Sequence, residues 1–254
     1  MRVLVLSGYG INCEDETLHA FEAVGFKGNI VHINDLIENP KKLDNYQVFA
    51  IPGGFSYGDD TGSGNAMAKK IMINLYDQIL KFVSKDKLTI GICNGCQILV
   101  NLGLVPGIHS KDPEIAMIEN TSGIYQCRWI NVKVNNKKSP WLKNISKLNL
   151  PVAHQEGQFM IPTKILKMIK DNNLIGLQYI NDKNQLANRE FPFNPNGSLE
   201  DIAALTSKNG NVLALMPHPE RAFYHHHIPN WQNNPSKKYA DGYKIFFNAK
   251  KYFE

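Results

Sequence analysis

Cysteine is scarce in this chain: Cys13, Cys93, Cys96 and Cys127 are the four among 254 residues. They form no framework of the kind that staples small secreted domains, which excludes a disulfide-built fold. Long apolar runs are missing too. The run Val3 to Leu6 is too short for a signal peptide, and no segment is long enough to cross a bilayer. A cytoplasmic location with no membrane partner is the expectation, and there a thiolate stays reduced. Charge of one sign is nowhere concentrated. The formal net charge is +5, but the lysines fall in scattered pairs such as Lys41-Lys42 and Lys137-Lys138. Without a basic stripe and interleaved aromatics, no nucleic-acid partner is expected. A Gly-x-x-x-x-Gly-Lys-Ser/Thr loop is absent, which excludes a nucleotide site of that type. Repeats, low-complexity tracts and interdomain linkers are absent as well, so residues 1–254 read as one domain.

Hydrophobic residues make up 43% of the chain and charged residues 20%, an ordinary globular balance. Arg2 to Ser7, Ile30 to Ile33, Val48 to Ile51 and Thr89 to Ile92 read as buried strands. Helical patterns lie between them. One is capped by Asn12, carries Glu14, Asp15 and Glu16 in its first turn, and ends at Gly25. Another spans Asn65 to Val83, with apolar residues at Ala68, Ile71, Met72, Leu75, Ile79 and Phe82. Strands alternating with helices imply an α/β fold: an open, mainly parallel sheet with helices on both faces. After Leu104 the pattern changes. Ile115 to Ile118, Tyr125 to Val134 and Pro151 to His154 read as a smaller region of partly antiparallel strands. Ile175 to Ile180, Ile202 to Thr206 and Val212 to Met216 follow, and Tyr243, Phe246, Phe247 and Phe253 mark a final helix packed on the sheet.

Chemistry concentrates at the ends of three apolar strands. The first runs into Gly91-Ile92-Cys93-Asn94-Gly95, a nucleophile elbow with sulfur in place of oxygen. N–H groups at the start of the following helix can stabilise a thiolate and then an oxyanion. A buried structural cysteine beside a tight turn fits the same pattern. The second strand runs into Pro217-His218-Pro219-Glu220. The prolines fix the backbone of His218, and Glu220 can orient the ring as the third member of a triad does. Taken alone, His218 reads as a surface-turn residue; the flanking prolines, Glu220 and the elbow cysteine together favour the oriented base. The third runs into Gly53-Gly54-Phe55-Ser56-Tyr57-Gly58-Asp59. There the N–H of Gly54 can supply one oxyanion donor and the N–H of Asn94 the other. Cys96 makes a Cys-x-x-Cys pair with Cys93, but no second cysteine pair completes a zinc ribbon, so it reads as a packed helix residue and no metal site is assigned. His225-His226-His227 reads as a mobile loop.

These stretches resemble class I glutamine amidotransferases, and most closely the glutaminase subunits of phosphoribosylformylglycinamidine synthase in purine biosynthesis. Gly10-Ile11-Asn12-Cys13, Pro151-Val152-Ala153-His154, Asn194-Pro195-Asn196-Gly197-Ser198 and Met216-Pro217-His218-Pro219-Glu220-Arg221 extend the likeness over nearly the whole chain. Two features depart from the pattern. His154-Gln155-Glu156-Gly157 stands where His-Gly-Glu-Gly is usual, and the stretch from Phe223 to Ala240 is longer than in compact bacterial members. The resemblance implies a flavodoxin-like α/β fold and hydrolysis of L-glutamine to glutamate and ammonia. Cys93 would be the nucleophile, His218 the acid and base, and Glu220 its orienter. Gly53, Phe55, Gln97, His154 and Glu156 would bind substrate. It also implies a larger synthetase subunit that uses ATP and magnesium to convert formylglycinamide ribonucleotide to formylglycinamidine ribonucleotide, often with a small third subunit. No cofactor is expected in this chain. A stand-alone Cys-His hydrolase and an elbow-cysteine stress or chaperone-like protein are the alternatives within the same superfamily.

Overall fold

The computed structural model describes residues 1–107 and 114–254. Its strands are β1 (Arg2–Ser7), β2 (Lys27–His32), β3 (Val48–Ile51), β4 (Leu88–Ile92), β5 (Ala116–Glu119), β6 (Gln126–Val134), β7 (Lys147–His154), β8 (Glu156–Met160), β9 (Ile175–Ile180), β10 (Ile202–Thr206) and β11 (Val212–Leu215). The helices are α1 (Glu14–Ala23), α2 (Ile33–Glu38), α3 (Asn65–Asn74), α4 (Tyr76–Val83), α5 (Asn94–Asn101), α6 (Thr163–Asp171) and α7 (Tyr243–Phe253). A nine-stranded sheet runs in the order β2-β1-β3-β4-β11-β10-β9-β6-β7, and β5 pairs with β8 in a separate two-stranded sheet. The strands from β2 to β11 are parallel. Those from β11 to β7 are antiparallel. The open α/β sheet is as expected, and its antiparallel arm continues the parallel part directly.

Composition explains the order. Strands β3, β4 and β11 are buried along their whole length, as near-continuous apolar strands covered on both faces must be. Strand β2 carries exposed Lys27 and Asn29 and forms one edge. Phe21 of α1 packs edge-to-face on Phe246 of α7, with ring centroids 5.0 Å apart. Helix α5 packs on β3, β4 and β11. The carboxyl ends of these three strands deliver Pro52-Gly53-Gly54, Cys93 and Pro217-His218, so the motif residues converge where open α/β sheets place their ligands.

Some elements differ from the sequence expectation. The pattern from Asn65 to Val83 is two helices, broken at Leu75 (φ −132°, ψ −4°). Asn74 donates its side-chain amide to the Lys70 carbonyl at 2.8 Å, and such local bonds compete with helix continuation. Cys13, not Asn12, occupies the cap position of α1, and no side chain caps it. The Asn12 side chain instead accepts from the Cys13 thiol at 3.3 Å, and both backbone N–H groups donate to the Gly53 carbonyl. Strand β8 and helix α6 were not anticipated. The segment His225–His227 is a 3-10 turn with His225 buried and His226 stacked on Tyr224, ring centroids 5.5 Å apart, which replaces the expected mobile loop.

Candidate active site

Cys93 sits at φ +52°, ψ −105°, a backbone conformation that costs a non-glycine residue on the order of 1–3 kcal/mol. The surroundings hold it there. Its N–H donates to the Leu215 carbonyl at 2.8 Å, and its carbonyl accepts from Gln97 at 3.1 Å. The flanking glycines supply space, not left-handed backbone. A Cβ on Gly91 would lie 2.4 Å from the Gly95 carbonyl oxygen, and one on Gly95 would lie 1.9 Å from that of Ile51. Strand β4 and helix α5 therefore meet at backbone distance, and the thiol is left in the bend.

His218 is seated by its own N–H, which donates to the Pro151 carbonyl at 2.8 Å. Pro151 lies on the outermost strand β7, so the antiparallel arm curls back to the site. The Cys93 thiol reaches the same strand, 3.6 Å from the Ala153 carbonyl. His218 Nδ1 lies 2.5 Å from Glu220 Oε1, with both side chains buried. Nδ1–H therefore donates to the carboxylate, which leaves Nε2 without a hydrogen-bond partner of ordinary geometry. Burial opposes charge on the ring, but Glu220 and then Cys93 outweigh it and hold the imidazole well above its ordinary range. That favours an imidazolium beside the sulfur.

Behind this pair lies a group that the sequence reading missed. Arg221 donates to Cys13 Sγ at 3.0 Å, and its Nε is 3.8 Å from Glu220 Oε1. Burial pushes the Cys13 thiol far up, and Glu220 adds to this. Donor atoms of Cys13, His218 and Glu220 lie within 4.8 Å of one another, a set that could hold a metal ion. The Arg221 guanidinium, however, already supplies positive charge at two of these three groups.

The Gly53-Gly54 loop passes beside both reacting side chains. A Cβ on Gly53 would lie 2.8 Å from His218 Cε1 and 3.5 Å from Cys93 Cβ. Gly54 has φ +148°, and a Cβ there would lie 2.5 Å from the Gly10 carbonyl oxygen. The Phe55 N–H donates to that same carbonyl at 2.7 Å. Among the described residues, the N–H groups of Gly54 and Asn94 donate to no acceptor within the chain. The Asn94 group is one of the orphan donors of a helix start. Asn94 Oδ1 accepts from the Ser56 N–H at 3.2 Å, which ties the loop to α5.

A cavity of about 260 Å³ opens onto Cys93. Gly54, Phe55, Gln97, His154 and Glu156 line it, together with Asp59, Ser63, Tyr125, Ala153 and Gln155. Gly53, Asn94, His218 and Glu220 are not among its lining residues. Gln97 is buried, and its amide donates to the Glu156 carbonyl at 2.6 Å. His154 Nδ1 pairs with Asn120 at 3.1 Å. Burial, helped by His218, lowers the His154 ring to about 3, so it is neutral. Gly157 is required beside it, because a Cβ there would lie 2.5 Å from the ring. Gln155 is exposed and lines the same cavity as Cys93. The Asn194-to-Ser198 turn lies further off. There Ser198 Oγ accepts from Phe159 N–H and Gln158 donates to the Gly197 carbonyl, so the turn anchors β8 and through it Glu156.

Residues 1–253 match a family model described as a CobB/CobQ-like glutamine amidotransferase domain. The chain belongs to this family. It is 44% identical to the phosphoribosylformylglycinamidine synthase subunit PurQ of Methanococcus maripaludis strain S2, over 99% of this chain and 97% of that one. It is 40% identical to the PurQ subunit of Dehalococcoides mccartyi, again over 99% and 97%. A solved structure of PurLQS from Thermotoga maritima contains a chain 31% identical to it, with a TM-score of 0.74 and coverage of 100% and 99%. The amidotransferase fold thus carries a thiol on a strained backbone, a buried His–Glu pair, two N–H groups unused among the described residues and a cavity of about 260 Å³. Such a set can run acyl transfer through sulfur. Sequence reasoning missed Asp59, Ser63, Tyr125, Cys13 and Arg221 as members of the site. Asp59, Cys13 and Arg221 all stand inside the motifs it quoted, which was the available signal.

Among the described residues, no helix is long and apolar enough to cross a membrane.

Proposed function

We propose that this amidotransferase is the glutaminase subunit of a phosphoribosylformylglycinamidine synthase. The observation that carries the reading is Cys93 on its elbow beside the buried His218–Glu220 pair. The Cys93 thiolate adds to the side-chain carboxamide carbon of L-glutamine. The N–H groups of Gly54 and Asn94 receive the oxyanion. As the C–N bond breaks, His218 gives its Nε2 proton to the leaving ammonia, and a thioester remains on Cys93. Neutral His218 then takes a proton from the water that attacks the thioester. The C–S bond breaks, glutamate leaves, and the thiolate–imidazolium pair is restored. Glu220 keeps the ring oriented, and Gly53, Phe55, Gln97, His154 and Glu156 shape the pocket. The ammonia passes to a larger synthetase subunit that binds ATP, magnesium and formylglycinamide ribonucleotide, with a small third subunit in the assembly. This chain acts in the cytoplasm as one domain and needs no cofactor of its own.

The test is reconstitution with the synthetase partner. Cys93→Ala is expected to abolish glutamine-dependent amidation and to leave ammonia-dependent amidation intact. The chain alone should be a poor glutaminase, activated when docking completes the oxyanion loop near Gly53 to Phe55. Full activity alone, with no rise on adding the synthetase, would favour a stand-alone cysteine hydrolase.

A further inference from the structure

Resting on the glutaminase reading, we propose that the segment from Gly10 to Cys13 positions the oxyanion hole: its backbone fixes the Gly53–Gly54 peptide and so keeps the Gly54 N–H turned toward the reacting carbon. Register decides the orientation. Ile11 and Gly54 form an antiparallel bridge. It is closed by the Phe55 N–H, which donates to the Gly10 carbonyl at 2.7 Å, and by the Asn12 N–H, which donates to the Gly53 carbonyl at 3.3 Å. Bonds that flank a pair in this way make it the narrow, non-hydrogen-bonded kind, in which both residues turn their own N–H and C=O away from the partner strand. The Gly54 N–H therefore points away from Ile11, and Gly54 lines the cavity with Cys93. A slip of one residue would turn that N–H into the bridge and take the donor from the site. The narrow pairing also accounts for glycine here, since a Cβ on Gly54 would lie 2.7 Å from Ile11 Cα.

A second donor locks the same peptide. The Cys13 N–H also reaches the Gly53 carbonyl, at 3.3 Å. The Gly53–Gly54 peptide is trans, so its N–H points opposite to its C=O. Two donors on the carbonyl side therefore aim the N–H at the other side. They also polarise the peptide, which makes that N–H a stronger donor. Both donors lie at the amino end of α1, where Cys13 is the cap residue. This end is anchored independently of the loop. The Cys13 carbonyl accepts from Thr17 Oγ1 at 2.6 Å, and Ile11, Cys13 and Thr17 are all buried. Further out, the Tyr57 N–H donates to the Tyr9 carbonyl at 2.8 Å, so the two segments stay paired past Phe55. A donor aimed before the oxyanion forms needs no reorganisation during the reaction, and that is where such a group gains its effect.

Two variants loosen the clamp in different ways. Asn12→Pro deletes one donor at a residue whose backbone is not left-handed. Gly10→Ala pushes the segments apart, because its Cβ would lie 2.1 Å from the Phe55 carbonyl oxygen. In the complex with the synthetase partner, each should lower kcat for glutamine hydrolysis by roughly tenfold to a thousandfold, the upper end being loss of a whole oxyanion donor, with KM nearly unchanged. Alkylation of Cys93 by iodoacetamide develops no oxyanion and depends on the thiolate, so its rate, read by peptide mass mapping, should stay within about threefold of the wild type. An unchanged kcat overturns the proposal. So does an alkylation rate that falls in step with kcat, since the damage would then lie at the thiol. Hydrogen exchange in the native chain needs no variant. The Asn12, Cys13 and Phe55 amides should be protected, and the Gly54 amide should exchange many-fold faster. Asn12 and Cys13 amides that exchange as fast as Gly54 overturn the proposal too. The thermal midpoint of each variant reports its fold, and the exchange measurement stands if neither variant folds. Absence of glutamine hydrolysis by the wild-type complex would instead bring down the glutaminase reading itself.

Discussion

Replacing Glu220 with glutamine keeps the side chain's shape and removes its charge. In the native site the Nδ1–Oε1 contact is 2.5 Å and both groups are shielded from water. Hydrogen bonds to charged groups are worth about 1.5–3 kcal/mol, and about 1.36 kcal/mol corresponds to one pKa unit. The ring of His218 should therefore release its proton about one to two units lower in Glu220→Gln than in the native site. The sign follows from the chemistry. Imidazolium must protonate the leaving ammonia, so activity is lost as pH rises through the folded-state value of the ring. That value is held high by Glu220 and then Cys93 against burial. The alkaline limb of kcat/KM should move to lower pH by the same one to two units. At neutral pH the ring stays protonated, so the loss there reflects orientation alone and should be well below the roughly two to four orders expected for His218→Ala. The assay is glutamate release by the reconstituted complex from about pH 5 to pH 10. An alkaline limb and a rate that both match the wild type would refute the assignment of Glu220 as the group that charges and orients His218.

Three further outcomes are expected. A chloroketone analogue of glutamine should label Cys93 ahead of Cys127, although Cys127 is the exposed thiol, and peptide mass mapping reads the result. Labelling confined to Cys127 would remove Cys93 from the nucleophile's role. Gly95→Ala should destabilise the fold by about 1–3 kcal/mol or more, because its Cβ would lie 1.9 Å from the Ile51 carbonyl oxygen, which cannot easily move. A thermal midpoint equal to the wild type's would contradict that packing. His154 is buried and its ring is lowered from 6.5 to about 3. Below pH 6.5 the unfolded chain therefore binds a proton that the folded chain refuses, and stability falls by up to about 1.4 kcal/mol per pH unit until about pH 3. His154→Gln should flatten that slope in urea titrations, and an unchanged slope would show that other groups cause the acid loss.

Strands β3, β9 and β10 were readable to the residue, because each is a short, mostly apolar run with turn-forming residues nearby. Cys93, His218 and Gly54 were readable because an apolar strand running into a motif announces its own end. Local patterns failed where a distant partner decided the outcome. Asn12 looked like a cap, but Gly53, far along the chain, takes its N–H and that of Cys13. Leu75 lies on the apolar stripe and yet marks a break, which periodicity cannot register. Strand β8 depends on β5 and on the Asn194-to-Ser198 turn, so its five residues carry little signal of their own. The acids and bases behind the reacting groups were hidden for the same reason. Nothing near Cys13 in the sequence points to Arg221, 208 residues away.

The seat of His218 also bears on how this protein keeps to itself in a crowded solution. An outermost strand is a template for another chain, and unpaired edges invite sheet-to-sheet aggregation. Strand β7 is such an edge, but three of its outward groups are occupied. The Asn149 N–H donates to Asp241 at 2.9 Å. Pro151 has no N–H to offer, and its carbonyl accepts from His218. The Ala153 carbonyl faces the thiol of Cys93. The bond that places the imidazole for chemistry therefore also blunts an adhesive edge. Substitutions that loosen the Pro217-His218-Pro219 corner should lower the concentration at which the protein remains monodisperse, even when assayed with Cys93 blocked.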